Sequence, residues 1–139
     1  MNERVKALYQ KVILAHNNAP FHFEKREHAE HTIKAYNAVC GDKFQIYLDI
    51  EEGKINDIHF HGYGCAISKA ATSVLVQSLL DKTLAEAQMI LLEYQNYLEG
   101  KLEGNELFEA FSAAKDFPGR AQCASMSWEA LNQFLVKEL

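Results

Sequence analysis

The sequence predicts an α+β fold: a three-stranded antiparallel sheet with about five helices packed mainly on one of its faces. Three observations carry that expectation. Between His31 and His61 the apolar residues fall in short strand-like runs, most regularly as Phe44, Ile46, Leu48 and Ile50 alternating with Gln45, Tyr47 and Asp49. Those runs are separated only by tight turn signals, Cys40-Gly41-Asp42 and Glu51-Glu52-Gly53, too short for anything but antiparallel connections. From Ala66 onward the apolar period becomes helical and stays so.

In order, Glu3 to His16 places Val5, Leu8, Tyr9, Val12 and Ile13 at helical spacing and predicts an amphipathic helix ending near Asn17-Asn18 and Pro20. Phe21 to His28 reads as an irregular connector. Strands are expected over His31–Val39, Phe44–Ile50 and Lys54–His61. After Gly62-Tyr63-Gly64 come Ala66, Ile67, Ala70, Val74, Leu75, Ser78 and Leu79, a helix rich in small residues and buried on a broad face. Thr83 and Glu86 have capping-box spacing and open a helix that runs to about Leu98. Leu107, Phe108 and Phe111 mark a short helical piece before Phe117-Pro118-Gly119, and a last helix is expected from Cys123 to about Lys137. No repeat or composition break divides the chain, so residues 1–139 are read as one domain.

The bulk numbers narrow the function classes. Net charge is -5, from 14 basic and 19 acidic side chains, so no electrostatic reason exists to expect nucleic acid or an anionic membrane as partner. No apolar run approaches the roughly 20 residues that span a bilayer. The opening Met1-Asn2-Glu3-Arg4 carries charge where a signal peptide would be apolar, and the expected location is cytoplasmic. The 3 cysteines are odd in number and far apart, which argues for reduced thiols rather than a disulfide framework.

A free cysteine is often only a small buried hydrophobe, but these three share a setting. Cys40 is expected to close a strand before Gly41-Asp42, Cys65 follows Gly62-Tyr63-Gly64 and opens a helix, and Cys123 follows Pro118-Gly119-Arg120 and opens the last one. Glycine lets backbone approach a ligand, and a helix N-terminus favours thiolate. Asp42, two residues after Cys40, is either a turn aspartate bonded to its own backbone or a fourth ligand. Three thiolates and a carboxylate suit tetrahedral zinc, and they would also hold an iron–sulfur cluster with a labile carboxylate ligand. His59 and His61 alternate on one strand and are either spare ligands or ordinary strand residues. His16, His22, His28 and His31 have no ligand spacing with the cysteines and read as surface residues. Lys69, one helical turn after Cys65, is a candidate electrostatic support for thiolates or a solvated lysine.

Asn37-Ala38-Val39-Cys40-Gly41-Asp42, Phe60-His61-Gly62-Tyr63-Gly64-Cys65-Ala66-Ile67-Ser68-Lys69-Ala70 and Arg120-Ala121-Gln122-Cys123-Ala124 resemble, in order, the three cysteine motifs of the U-type iron–sulfur cluster assembly proteins. That family comprises IscU, the N-terminal part of NifU, and SufU. The resemblance spans essentially the whole chain and is strongest toward the SufU branch. The stretch from Cys65 to Cys123 is long, Arg120 precedes the last cysteine by three residues, and Gln122 stands where the scaffold branch has histidine. A proline-rich chaperone-docking motif is missing. Asn37-Ala38 departs from the family's usual Asn-Pro, and Gln122 from the lysine common in SufU-like members.

The resemblance implies an IscU/NifU-like fold and a metal site of Cys40, Asp42, Cys65 and Cys123. It also implies a zinc-dependent sulfurtransferase that accepts persulfide sulfur at Cys40 from a pyridoxal-phosphate cysteine desulfurase of SufS type. Sulfur would then pass to a downstream cluster scaffold or to apo-proteins. Arg120 is either a support for the thiolates and an attractor of an anionic partner group, or a surface ion-pair residue. Two alternatives stand beside this one: a scaffold building a transient [2Fe–2S] cluster from iron on the same ligands, and a structural zinc-binding interaction module.

Overall fold

The computed structural model describes residues 3–38, 40–117 and 119–138, the side chain of Lys115 excepted. Val39, where the first strand is expected to end, and Pro118, in the expected break before the last helix, lie outside them. Five α-helices and three strands follow in the order α1 (Glu3–Asn18), β1 (His31–Asn37), β2 (Asp42–Glu51), β3 (Lys54–Tyr63), α2 (Ala66–Leu79), α3 (Leu84–Leu98), α4 (Glu106–Ala110) and α5 (Arg120–Glu138). A 3-10 segment, Phe111–Asp116, continues α4. Among the described residues no helix is long and apolar enough to cross a membrane.

The sheet is an antiparallel meander in the order β1-β2-β3. Its two faces follow directly from the alternation in β2. Asp42, Phe44, Ile46 and Leu48 point inward with Ile33, Ala35 and Asn37 of β1 and with Ile58 and Phe60 of β3. On this face Phe44, Ile46, Leu48, Ile58 and Phe60 are wholly buried; each such side chain contributes roughly 1.5–3 kcal/mol relative to exposure. Helices α2 and α5 lie on the inner face. Small residues make the close approach of α2 possible: Ala70, Ala71, Thr72 and Ser73 are all buried. Behind them Trp128 of α5 stacks on Tyr94 of α3 with ring centroids 3.6 Å apart, and its indole N–H donates to Ala71 O at 2.9 Å. The expected capping box at Thr83 is present.

Several boundaries differ from expectation for identifiable reasons. Strand β2 begins at Asp42 rather than Phe44, because Asp42 pairs with Asn37 and so belongs to the ladder. Strand β3 runs on through Gly62 and Tyr63, which read as loop in sequence. Gly62 lies across from Phe44, and a Cβ there would meet Lys43 O at 2.2 Å. A residue that sequence punctuation marks as a break is thus the one residue that lets the strand continue. Helix α5 starts at Arg120, which puts Cys123 one turn inside it rather than at its opening.

The outer face of the sheet is covered only in part, by the connector after α1. Phe23 bridges to Phe60 on the free edge of β3, held by Glu24 N–H to Phe60 O at 2.9 Å and Phe60 N–H to His22 O at 3.1 Å. That connector corrects the reading of His22 as a surface residue. His22 is half-buried, adopts φ 50°, and stacks on His59 with centroids 4.5 Å apart. His59 is itself buried rather than half-exposed, with Arg26 at 2.9 Å from Nε2. His16 and His31 are half-buried too, whereas His28 is exposed. His16 Nδ1 lies 2.7 Å from the hydroxyl of buried Ser73, and His31 packs edge-on against Phe134.

Candidate metal and sulfur centre

Three elements converge at the end of the sheet where β1 turns into β2. Gly41 makes that turn possible: its φ is +76°, and its N–H donates to Asn37 O at 2.8 Å. Cys40 sits in the turn and is exposed, so it does not close the strand as expected. Asp42, first residue of β2, faces inward and is only 3% exposed. Cys65 caps α2, its sulfur accepting from Ser68 N–H at 3.4 Å, while Cys123 comes from the first turns of α5 and is 1% exposed.

Cys40, Asp42 and Cys123 offer ligand atoms all within 4.8 Å of one another. Cys123 Sγ lies 3.9 Å from Cys40 Sγ and 3.3 Å from Asp42 Oδ2. With zinc–sulfur bonds near 2.3 Å and zinc–oxygen bonds near 2.0 Å, a tetrahedron has S–S edges of about 3.8 Å and S–O edges of about 3.5 Å. The two spacings therefore fit a shared tetrahedral ion without rearranging the backbone. Cys65 reaches the cluster from its rim. Its N–H donates to Asp42 Oδ1 at 3.0 Å, and its thiol is oriented toward Ser68 Oγ, 3.6 Å away. Asp42 is thus not a solvent-facing turn residue: one carboxylate oxygen is fixed by the α2 cap and the other points at Cys123.

Gly64 explains how the strand end, the cap and the carboxylate fit together. A Cβ at this position would lie 2.5 Å from Ser68 Oγ, 2.8 Å from Phe44 Cε2 and 2.9 Å from Asp42 Oδ1. The glycine spacing noted before Cys65 thus has two separate causes, Gly62 against β2 and Gly64 against the site.

Burial pushes the Cys123 thiol well above its ordinary range, and the neighbouring Cys65 and Asp42 push it the same way. A bound cation reverses that preference by stabilising thiolate. Arg120 is held more firmly protonated by Cys65, and then by Cys123, which puts its guanidinium beside the sulfurs. Lys69 has its ammonium 4.7 Å from the centre of the Phe23 ring. The half-buried ring of Tyr9 stacks on Phe117. The Tyr9 pKa is raised, first by burial, with Arg120 opposing and Cys65 and Cys123 adding to the rise. Tyr9 is a site neighbour that the helical spacing of α1 assigned only to packing. A separate group, His22, Asp57 and His59, forms on the outer face of the sheet. His59 therefore belongs to that face, apart from the thiols.

Residues 8–137 match the sequence pattern of the NifU-like N terminal domain. The iron–sulfur cluster assembly scaffold protein IscU of Thermotoga maritima is 30% identical over 138 residues, covering 95% of each chain. The zinc-dependent sulfurtransferase SufU of Bacillus subtilis is 27% identical over 141 residues, covering 99% of this chain and 95% of that one. Among solved structures, a protein described as a candidate scaffold for the SUF system of Fervidobacterium islandicum AW-1 superposes with a TM-score of 0.81 at 30% identity, over 93% of this chain and 97% of that one.

Proposed function

The chain belongs to the NifU-like N-terminal domain family, and from that premise we propose that it serves iron–sulfur cluster assembly as a zinc-dependent sulfur acceptor, with Cys40 taking sulfur from a cysteine desulfurase. The observation that carries this reading is the graded exposure of the thiols: Cys40 exposed, Cys65 intermediate, Cys123 buried. An acceptor must meet a partner's sulfur, while the groups that hold the centre together need not.

Cys40, Asp42, Cys65 and Cys123 are the residues that would hold zinc, which when bound keeps their sulfurs in the nucleophilic thiolate form. Cys40 Sγ attacks the outer sulfur of the donor persulfide; a new S–S bond forms at Cys40 as the old one breaks. The donor cysteine departs as thiolate, so the number of electrons and sulfur atoms is conserved and no external oxidant enters. Asp42 stays fixed by the Cys65 N–H throughout. Arg120 offers positive charge where anionic sulfur accumulates. From Cys40 the sulfur passes to a cluster scaffold or to an apo-protein.

The names of the Thermotoga and Fervidobacterium relatives favour a second reading, in which the same residues receive iron and sulfide as cargo and build a transient [2Fe–2S] cluster. Metal and acid-labile sulfide content after purification without oxygen separates the two. About one zinc per chain without sulfide supports sulfur transfer, and loss of that zinc in Asp42→Ala supports the ligand set. Iron with matching sulfide supports the scaffold. Cys40→Ser is expected to abolish stimulation of the desulfurase; unchanged stimulation would refute Cys40 as acceptor and leave a structural zinc module.

A further inference from the structure

The outer face of the sheet carries an exposed row of aromatic and basic side chains at the end nearest the site. In the row nearest the site, Tyr36 of β1, Lys43 of β2 and Tyr63 of β3 lie side by side. The next row outward-facing along the strands is Lys34, Gln45 and His61. At the opposite end Asp49, paired with Asp57, lies among mixed charges that include Lys25 and Arg26 of the connector. Lys43 and Asp49 are six residues apart, about 20 Å along the strand. The chain as a whole carries net charge -5, so a basic and aromatic patch beside the cysteines runs against its overall charge. Tyr36 is 65% exposed and Tyr63 67%, and they stand about 10 Å apart across three strands. Among the described residues neither Lys34 nor Lys43 is in an ion pair.

We propose that this Tyr36–Lys43–Tyr63 row, backed by Lys34, is the surface on which the persulfide donor docks, and that the donor meets it with carboxylates around an apolar cleft. The inference rests on the sulfur-acceptor reading and adds to it a place and a chemistry for the partner. Cys40 is three residues from Lys43 and four from Tyr36, across one tight turn. A standard interface covers about 800 Å² on each partner, a patch of about 16 Å radius. A patch centred on Cys40 therefore takes in the row. Exposed tyrosines are the side chains that most often anchor such patches, because they bring large area with little conformational freedom. Lysines beside them speed encounter with an acidic partner and fix its orientation. A different apolar surface, the α3 face with Met89 at 64% and Leu92 at 60% exposure, provides the natural control.

The test is calorimetric titration of the zinc-loaded full chain with the host's pyridoxal-phosphate cysteine desulfurase, alongside sulfur transfer from cysteine. Tyr36→Ala/Lys43→Glu/Tyr63→Ala is expected to weaken binding at least tenfold with zinc content and circular dichroism unchanged. Lys43→Glu alone is expected to weaken it several-fold and to flatten its dependence on salt. Met89→Ser/Leu92→Ser is expected to bind as wild type does. A triple variant within twofold of wild type, or a loss confined to the α3 control, overturns the proposal. Cys40→Ser separates the two levels. If it binds normally and accepts no sulfur, both stand; if it binds normally and still stimulates as wild type, the acceptor reading falls while the docking surface remains. A wild-type chain that does not bind the desulfurase at all removes both.

Discussion

Substituting Gly64 with alanine introduces one methyl group at the point where strand, cap and carboxylate meet. Its three nearest neighbours would stand at 2.5, 2.8 and 2.9 Å, all closer than real Cβ contacts come. None has room to retreat: Ser68 and Phe44 are fully buried and Asp42 nearly so. Overpacking of this kind costs about 1–3 kcal/mol. Displacing Asp42 also strains or breaks its bond from the Cys65 N–H, a hydrogen bond to a charged group worth roughly 1.5–3 kcal/mol. Since one displacement relieves the other in part, the expected loss is about 2–4 kcal/mol. Gly41→Ala is the matched comparison. Nothing lies within 4 Å of a Cβ there, but φ is +76°, and the cost is the left-handed backbone alone, roughly 1–2 kcal/mol. Urea unfolding of chelator-treated protein measures both losses, and zinc content measures whether Asp42 stays in place. Gly64→Ala is expected to be the more destabilised and to retain less zinc. If it unfolds no more readily than Gly41→Ala and keeps full zinc, the close contact of α2 with the carboxylate does not organise the site.

Three further outcomes follow. Burial raises the Cys123 thiol above its ordinary pKa of 9.0, so the folded metal-free chain keeps a proton that the unfolded chain releases. The stability associated with that proton is present below pH 9 and is lost as pH rises above it, by at most about 1.4 kcal/mol per pH unit; melting curves from pH 7.5 to 10.5 in chelator detect this, and Cys123→Ala is expected to flatten it. Limited alkylation of metal-free protein, read by peptide mass, is expected to label Cys40 first and Cys123 last, since access to solvent falls in that order; early labelling of Cys123 would contradict the burial. Tyr94→Phe removes the hydroxyl that donates to Ala124 O at 2.6 Å inside the core and is expected to cost about 1 kcal/mol in urea unfolding, with zinc content unaffected.

Much of this architecture is legible in the sequence because its signals are local. The alternation through Phe44 and Ile46 sets both faces of the sheet, and Thr83 with Glu86 marks a helix start by a contact three residues long. The candidate site is legible only in part. Glycine beside Cys40 and Cys65 pointed to close approach, but the spatial meeting of Cys40, Asp42 and Cys123 spans 83 residues and leaves no periodic trace. Asp42 looked like a turn residue because its pairing with Asn37 depends on the strand opposite. Gly62 looked like punctuation because glycine marks both breaks and tight passages, and only the position of Lys43 decides between them. The burial of His59 escaped sequence reading for a similar cause: the connector that covers it, with His22 and Arg26, has no period of its own.

The pleat of β2 has a consequence for how this protein changes over generations. Asp42 and Lys43 are chain neighbours, yet one looks into the sulfur pocket and the other out to solvent. Substitutions at odd positions near this end of β2 therefore alter the exposed surface, whereas those at even positions disturb the buried side chains around Asp42. A single-residue insertion before Phe44 would be ruinous in proportion, because it would exchange the two assignments at once.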